Sequence, residues 1–477
     1  MVFSSFEFLG SLPFAITALV VANTLGRQFF LLVLAGLSLA FYGWFRVDYT
    51  LILIASAVGN YAIAGAVERS PRMYLLVLGI AANVLVLVAF KYLDFLMEGS
   101  NAVLGTSWMP LRIVLPLALS FITFEQISFL SDVKNKRVPR GQFTTYLAFV
   151  TVFPKLIAGP IIRYRELLPQ LVAPRRISAE QLFTGLCLFC LGLFKKVALA
   201  DPLGSIVDPQ VNSMGTAAIA QIDAICAVLA YSLQIFFDFS AYSEMALGLA
   251  WMFGIRLPVN FFSPYRSTSI IDFWRRWHIT LSAFLRDYIY IPLGGNRHGR
   301  ALTSLNLLIV MSIGGLWHGA AWTFAAWGCV HGLALIANHG WRQLPWSRAL
   351  PDNTLTQLGR WMLTSAVVLF GWILFRAQDF HVARNWFVSI GHGGLVPTST
   401  TTLQLTSVAV LTLWVILLPN IPTLFGIEWD RDKIDWSTPV GIPPVPTRLT
   451  VLAAAALAIS LVIMARGQHN AFIYFQF

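Results

Sequence analysis

Charge is what this sequence has least of. Only 12% of its 477 residues are Asp, Glu, Lys or Arg, about half the share that soluble domains carry. With 57% hydrophobic residues, the chain cannot cover a water-facing surface, and an integral membrane protein is implied. Cysteine is scarce as well, with four residues in all. Cys187 and Cys190 form a C-x-x-C inside GLCLFCLGLF, but no second pair or histidine set accompanies them. Neither a metal site nor a disulfide framework is therefore expected, and packing is the reading for both. No phosphate-binding loop, zinc signature or G-x-S-x-G elbow occurs. The first basic residue is Arg27. The apolar start thus lacks the positive region of a secretory signal and reads as a retained first span.

What is present fits a multi-pass chain. Apolar stretches near 8–25, 29–45, 49–67, 73–93, 113–131, 182–200, 219–237, 358–375, 403–419 and 449–465 approach the ~20 residues a spanning helix needs. Shorter or broken stretches lie near 143–162, 240–254 and 305–338. The expectation is an all-α polytopic membrane protein with roughly 11–13 membrane segments, re-entrant pieces included. It reads as one unit over 1–477, with N-terminal spans in 1–131, a motif-bearing core in 132–339 and C-terminal spans in 340–477.

The net charge of +11 is read as topogenic rather than as a nucleic-acid footprint, because the basic residues fall between apolar segments. Arg27, the pair Arg69 and Arg72, and the cluster Lys134, Lys136, Arg137 and Arg140 follow the first, third and fifth spans. Those ends, and loops 163–176 (with Arg175 and Arg176) and 256–300, are expected in the cytoplasm. Loop 201–218, with Asp201 and Asp208, is expected outside. Full crossings at 143–162 and 240–254 would put basic loops on the wrong side. Both are therefore expected to re-enter, the first broken at Pro154, Gly159 or Pro160.

The run 305–338 holds His318 and His331. Its roughly 34 residues would make a helix of about 50 Å, too long for the hydrocarbon core, so it must break, tilt or double back. Gly314 and Gly315 are the expected break. An ionisable residue at that depth points to function; the structural alternative is a histidine bonded to a neighbouring carbonyl. On one unbroken helix His318 and His331 would stand about 140° apart, so they share a site only across a break.

Along 260–297, Phe273, Trp277, Leu281 and Leu285 recur every four residues, as on an interfacial amphipathic helix. Arg275, Arg276 and Arg297, with Asn296 in the loop LGGNR, are candidates for binding an anionic donor. His278 adjoins them, as a second active-site residue or a scaffold residue. Asp238 and Glu244 are carboxylates in an apolar background and are expected to act through structure, as are Glu125 and Lys91.

Taken in order, NFFSPY (260–265), DFWRRWHITLS (272–282), LRDYIYIPLGGNR (285–297) and GGLWHG (314–319) resemble the membrane-bound O-acyltransferases, and within them the bacterial alginate O-acetyltransferase branch. FYGWFRVDY (41–49), IAGPIIRY (157–164), DFSAYSEMALG (238–248) and the ending FIYFQF (472–477) extend the likeness over nearly the whole chain. Ala241 and Glu244 depart from the Gly and Asp that the branch often has there. The resemblance implies a helical bundle with a central tunnel, His318 and His278 as active-site histidines, and His331 as an accessory. It further implies a cytoplasmic acetyl thioester, most simply acetyl-CoA, with no tightly bound cofactor or metal. The acceptor would be an exported polysaccharide, reached directly or through a periplasmic esterase-like partner, at the bacterial inner membrane. Gly315 and Gly319 then leave room for the thioester, and Trp317 and Trp322 pack or wall the tunnel. A neutral imidazole suits removal of a hydroxyl proton, or can carry the acyl group itself. D-alanyl transfer from a carrier protein is the runner-up. A proton-coupled transporter, with the carboxylates and histidines as relay, is the reading from another class, though no inverted repeat supports it.

Overall fold

The computed structural model describes residues 2–173, 177–438, 445–467, 472 and 473, apart from the side chains of 346 and 348. Arg175, Arg176 and the last four residues of FIYFQF fall outside that set. All regular structure among the described residues is helical. Eight helices are long and apolar enough to cross a membrane: Phe6–Leu25, Val47–Arg69, Met73–Leu104, Ala179–Met214, Gln221–Met252, Arg300–His318, Thr354–Arg376 and Thr447–Ala465. Arg27–Gly43 and Thr402–Leu417 are shorter apolar helices. The protein is an all-α, multi-pass membrane protein.

Three expectations about helix limits are corrected. The stretch 113–131 is not one apolar span, because regular helix begins only at Leu119 and runs to Lys134. The stretch 240–254 is not a separate re-entrant piece, because Gln221–Met252 is one helix of 32 residues. Residues 201–218 are not an open loop, because Asp201–Met214 continues the preceding helix through a π-helical turn at Lys195–Ala200. The stretch 143–162 does break as expected. Phe143–Thr151 stops at Val152, a short turn Phe153–Leu156 follows, and the irregular backbone to 163 is buried.

The chain forms two compact units. The first comprises Met1–Phe194, Ala241–Val259 and Phe425–Gly467. In it, Ala179–Phe194 packs against Thr447–Ala465 and crosses the 241–252 portion of the long helix at glycines. A Cβ on Gly185 would fall 2.5 Å from the Gly248 carbonyl oxygen, and one on Gly248 would fall 2.5 Å from that of Gly185. Such small-residue crossings let backbones approach where lipid supplies no hydrophobic drive. Two buried ion pairs lie inside this unit. Lys155 bonds Glu125, which is therefore not an isolated carboxylate. Arg431 grips Glu166 with both guanidinium arms, Nε at 2.7 Å, and Glu166 also accepts from the Arg163 N–H at 3.0 Å.

The second unit comprises Lys195–Ser240, Asn260–Leu424 and Gln468–Phe477. Its centre is a hairpin of Arg300–His318 and Trp322–Trp341, so the run 305–338 doubles back. Gly315 meets Phe324 and Gly328, Gly328 meets Met311, and Gly332 meets Leu308; the opposed order means the helices run antiparallel. A Cβ on Gly315 would lie 2.3 Å from the Phe324 oxygen, and one on Gly328 2.3 Å from that of Met311. Gly314 and Gly315 are thus helical residues, Gly315 lying on the seam, and the break comes later, at the extended Gly319 and Ala321. Gly319 is placed there because the Phe324 ring would stand 2.1 Å from any Cβ. Thr354–Arg376 packs on Trp322–Trp341.

Candidate active site

His318 is the last residue of its helix, at the hairpin tip, and only 4% exposed. Aromatic rings surround it: Trp317, Trp327 and Phe375 at 5.0, 5.2 and 5.0 Å between centroids, all steeply inclined to the imidazole. Trp317 therefore walls the histidine, whereas Trp322 is 63% exposed. The His278 ring is 6.3 Å from that of His318. The two histidines that the sequence singles out lie together.

The supposed amphipathic helix is interrupted at His278. Ile270–Arg276 ends, His278 takes left-handed backbone angles (φ 43°), and Ile279–Leu285 begins. Phe273, Trp277, Leu281 and Leu285 are all buried in protein, so the stripe is core rather than a lipid-facing surface. A left-handed non-glycine residue costs about 1 kcal/mol or more and persists only where its surroundings fix it. Asn260 does the fixing. Its carbonyl accepts from Ile279 N–H at 3.0 Å. Its side-chain oxygen takes Thr280 N–H at 3.3 Å, Thr280 Oγ1 at 2.9 Å and His278 Nδ1 at 3.1 Å.

Those contacts determine the tautomer. The Thr280 amide can only donate, so the Asn260 atom facing it is the oxygen, and His278 Nδ1 on the same oxygen must carry a proton. Nε2 is then the bare nitrogen; it is buried and has no hydrogen-bond partner among the described residues. Burial pushes the imidazole down to about 3, so the ring is neutral near pH 7. Asn260 was not a candidate from the sequence. Its signal was its position at the head of NFFSPY, an amide in an apolar stretch, which reads equally well as a turn residue.

His331 is buried against the same Trp327 ring, at 4.8 Å between centroids. The chain break lets His318 and His331 share that indole as a wall. The other candidates separate. Asp238 pairs with Lys196 at 2.8 Å and accepts the Ile473 N–H at 2.6 Å; Lys196 also holds Asp201 at 2.6 Å. Glu244 is buried in the first unit. Arg276 is held by Asp272, 3.0 Å from both oxygens, while Arg275, Asn296 and Arg297 are exposed. Gly294 and Gly295 adopt left-handed angles, and Asn306 ties their loop through the Gly295 carbonyl at 3.0 Å.

A pair of buried histidines walled by aromatics, His278 among them neutral with a bare nitrogen, can accept a proton or an acyl group in a water-poor setting. The comparisons point the same way. The model of the membrane-bound O-acyltransferase family matches residues 136–375. The probable alginate O-acetylase AlgI of Azotobacter vinelandii is 35% identical, over 94% of each chain. The peptidoglycan O-acetyltransferase of Helicobacter pylori is 38% identical over 72% of this chain and 71% of its own. The teichoic acid D-alanyltransferase of Streptococcus thermophilus is 26% identical over 54% and 68%. With the helical architecture and the histidine pair in hand, these matches make the chain a member of the membrane-bound O-acyltransferase family, a multi-pass O-acyltransferase.

Proposed function

We propose that the protein takes an acetyl group from a cytoplasmic thioester, most simply acetyl-CoA, and passes it across the bacterial inner membrane for O-acetylation of an exported polysaccharide. The observation that carries this reading is the buried His318–His278 pair in a chain alike along 94% of its length to a probable alginate O-acetylase. In the transfer, a hydroxyl oxygen bonds to the thioester carbonyl carbon and its proton goes to an imidazole. The C–S bond then breaks and the departing thiolate takes that proton back. His318 acts as that base, or first accepts the acyl group on nitrogen and yields it to the hydroxyl. His278, with its bare Nε2, stands beside it. A periplasmic esterase-like partner that delivers the acetyl group to the polymer fits the same scheme.

The test is mass spectrometry of cell-surface glycans with and without the protein, together with label transfer from [14C]acetyl-CoA in proteoliposomes. Loss of O-acetyl esters on deletion and labelled product support the reading. Unchanged esters, or turnover only with a D-alanyl carrier protein, overturn it in favour of the second acyl group. If Arg275 and Arg297 receive the phosphates of acetyl-CoA, each change to Ala should raise KM for the donor about three- to tenfold with kcat unchanged. That is the scale of one exposed charge-assisted contact, and steady-state kinetics on the purified variants checks it.

A further inference from the structure

Two buried N–H groups beside the site converge on one place. The Trp274 indole can only donate, and it reaches His331 Nδ1 at 3.3 Å. Nδ1 is therefore the acceptor, and the His331 proton sits on Nε2. His331 Nε2 and Trp327 Nε1 are both buried, and neither has a hydrogen-bond partner among the described residues. Both approach Gly371: a Cβ there would stand 2.7 Å from His331 Nε2 and 3.3 Å from Trp327 Nε1. Buried donors without an acceptor are rare and costly, and these two lie at a residue with no side chain to block them. The same Trp327 indole stands against the His318 imidazole, at 5.2 Å and 88°.

We infer that Trp327 Nε1–H and His331 Nε2–H together bind the carbonyl oxygen of the acyl thioester reacting at His318. The inference rests on the reading of His318 given above. When the nucleophile bonds to the carbonyl carbon, the C=O π electrons move onto that oxygen, and the two donors meet the negative charge formed there. When the C–S bond breaks, the electrons return to the carbonyl and the thiolate leaves. Donors already in place need no reorganisation at that moment, the source of their catalytic advantage. His331 is thereby a catalytic donor, and Trp274 a positioning residue that sets its tautomer.

The test uses the full-length protein in nanodiscs, [1-13C]acetyl-CoA without acceptor, and isotope-edited infrared spectroscopy of the thioester carbonyl. In the native protein the bound band should lie below its solution frequency. In Trp327→Phe, which keeps a ring and loses the N–H, it should move back toward the solution value. There kcat should fall about 10²-fold, with KM for the donor changed less than about threefold. His331→Gln, which keeps a donor, should retain more activity than His331→Phe, and the His331 pair serves alone if Trp327→Phe does not accumulate. An unshifted native band, a band unmoved in the variants, or a loss confined to KM overturns the inference. A native protein blind to acetyl-CoA that shifts the carbonyl of a D-alanyl thioester overturns the donor proposed above instead. The same variants then decide the donor pair with that thioester.

Discussion

Replacing His318 with alanine should cut acyl transfer per folded molecule by about a thousandfold or more, with the hairpin still assembled. The first half follows from chemistry. General-base catalysis supplies about 10² to 10⁴ in rate, and a nucleophilic role would make the loss complete. The second half follows from packing. His318 ends a helix at a hairpin tip and is held by ring contacts with Trp317, Trp327 and Phe375. Truncation leaves a cavity costing about 2–4 kcal/mol, while the glycine seam that joins the hairpin is untouched. His318→Gln, which fills more of the space without a base, should be as inactive and better folded. Glycan ester content normalised to immunoblotted membrane protein is the measurement, and normal esters with either variant would refute the role. An acyl-histidine adduct trapped with donor and no acceptor would assign the nucleophilic route.

The sequence made the spans and the two histidines legible, because uninterrupted hydropathy marks a helix and an imidazole in hydrocarbon is expensive. It placed the hairpin break four residues early. Gly314 and Gly315 look like breakers in one dimension, but glycine also serves close helix contact, and only the opposing Phe324 and Gly328 backbone distinguishes the two uses. The same limit explains Gln221–Met252. The placing of basic loops asks for a re-entrant piece at 240–254, yet the helix runs on, with Asp238 inside it paired in space to Lys196, 42 positions away in the chain. The four-residue stripe from Phe273 to Leu285 reads as one helix. A left-handed residue inside it is dictated by a side chain 18 positions upstream, and no local pattern reports that.

That upstream side chain makes the second large expectation. Asn260→Leu preserves approximate volume and the backbone bond to Ile279, but removes the acceptor for His278 Nδ1–H and Thr280 N–H. Each buried donor left without a partner costs about 1–3 kcal/mol, so the variant should accumulate less well. More telling is kcat per folded molecule, which should fall about 10²- to 10⁴-fold, because nothing then reserves Nε2 as the bare nitrogen of His278. Asn260→Asp separates the two effects. It restores an acceptor, and with it the fold and tautomer, but adds a negative charge that favours the imidazolium. The His278 pKa then rises, and protonation removes the Nε2 lone pair as pH falls. Activity of Asn260→Asp should therefore begin to decline on the acid side at a higher pH than that of the native enzyme, whose His278 is pushed down to about 3. Coincident pH–kcat profiles for the two proteins, or a normal kcat in Asn260→Leu, would remove Asn260 from the catalytic apparatus and leave it as scaffold alone.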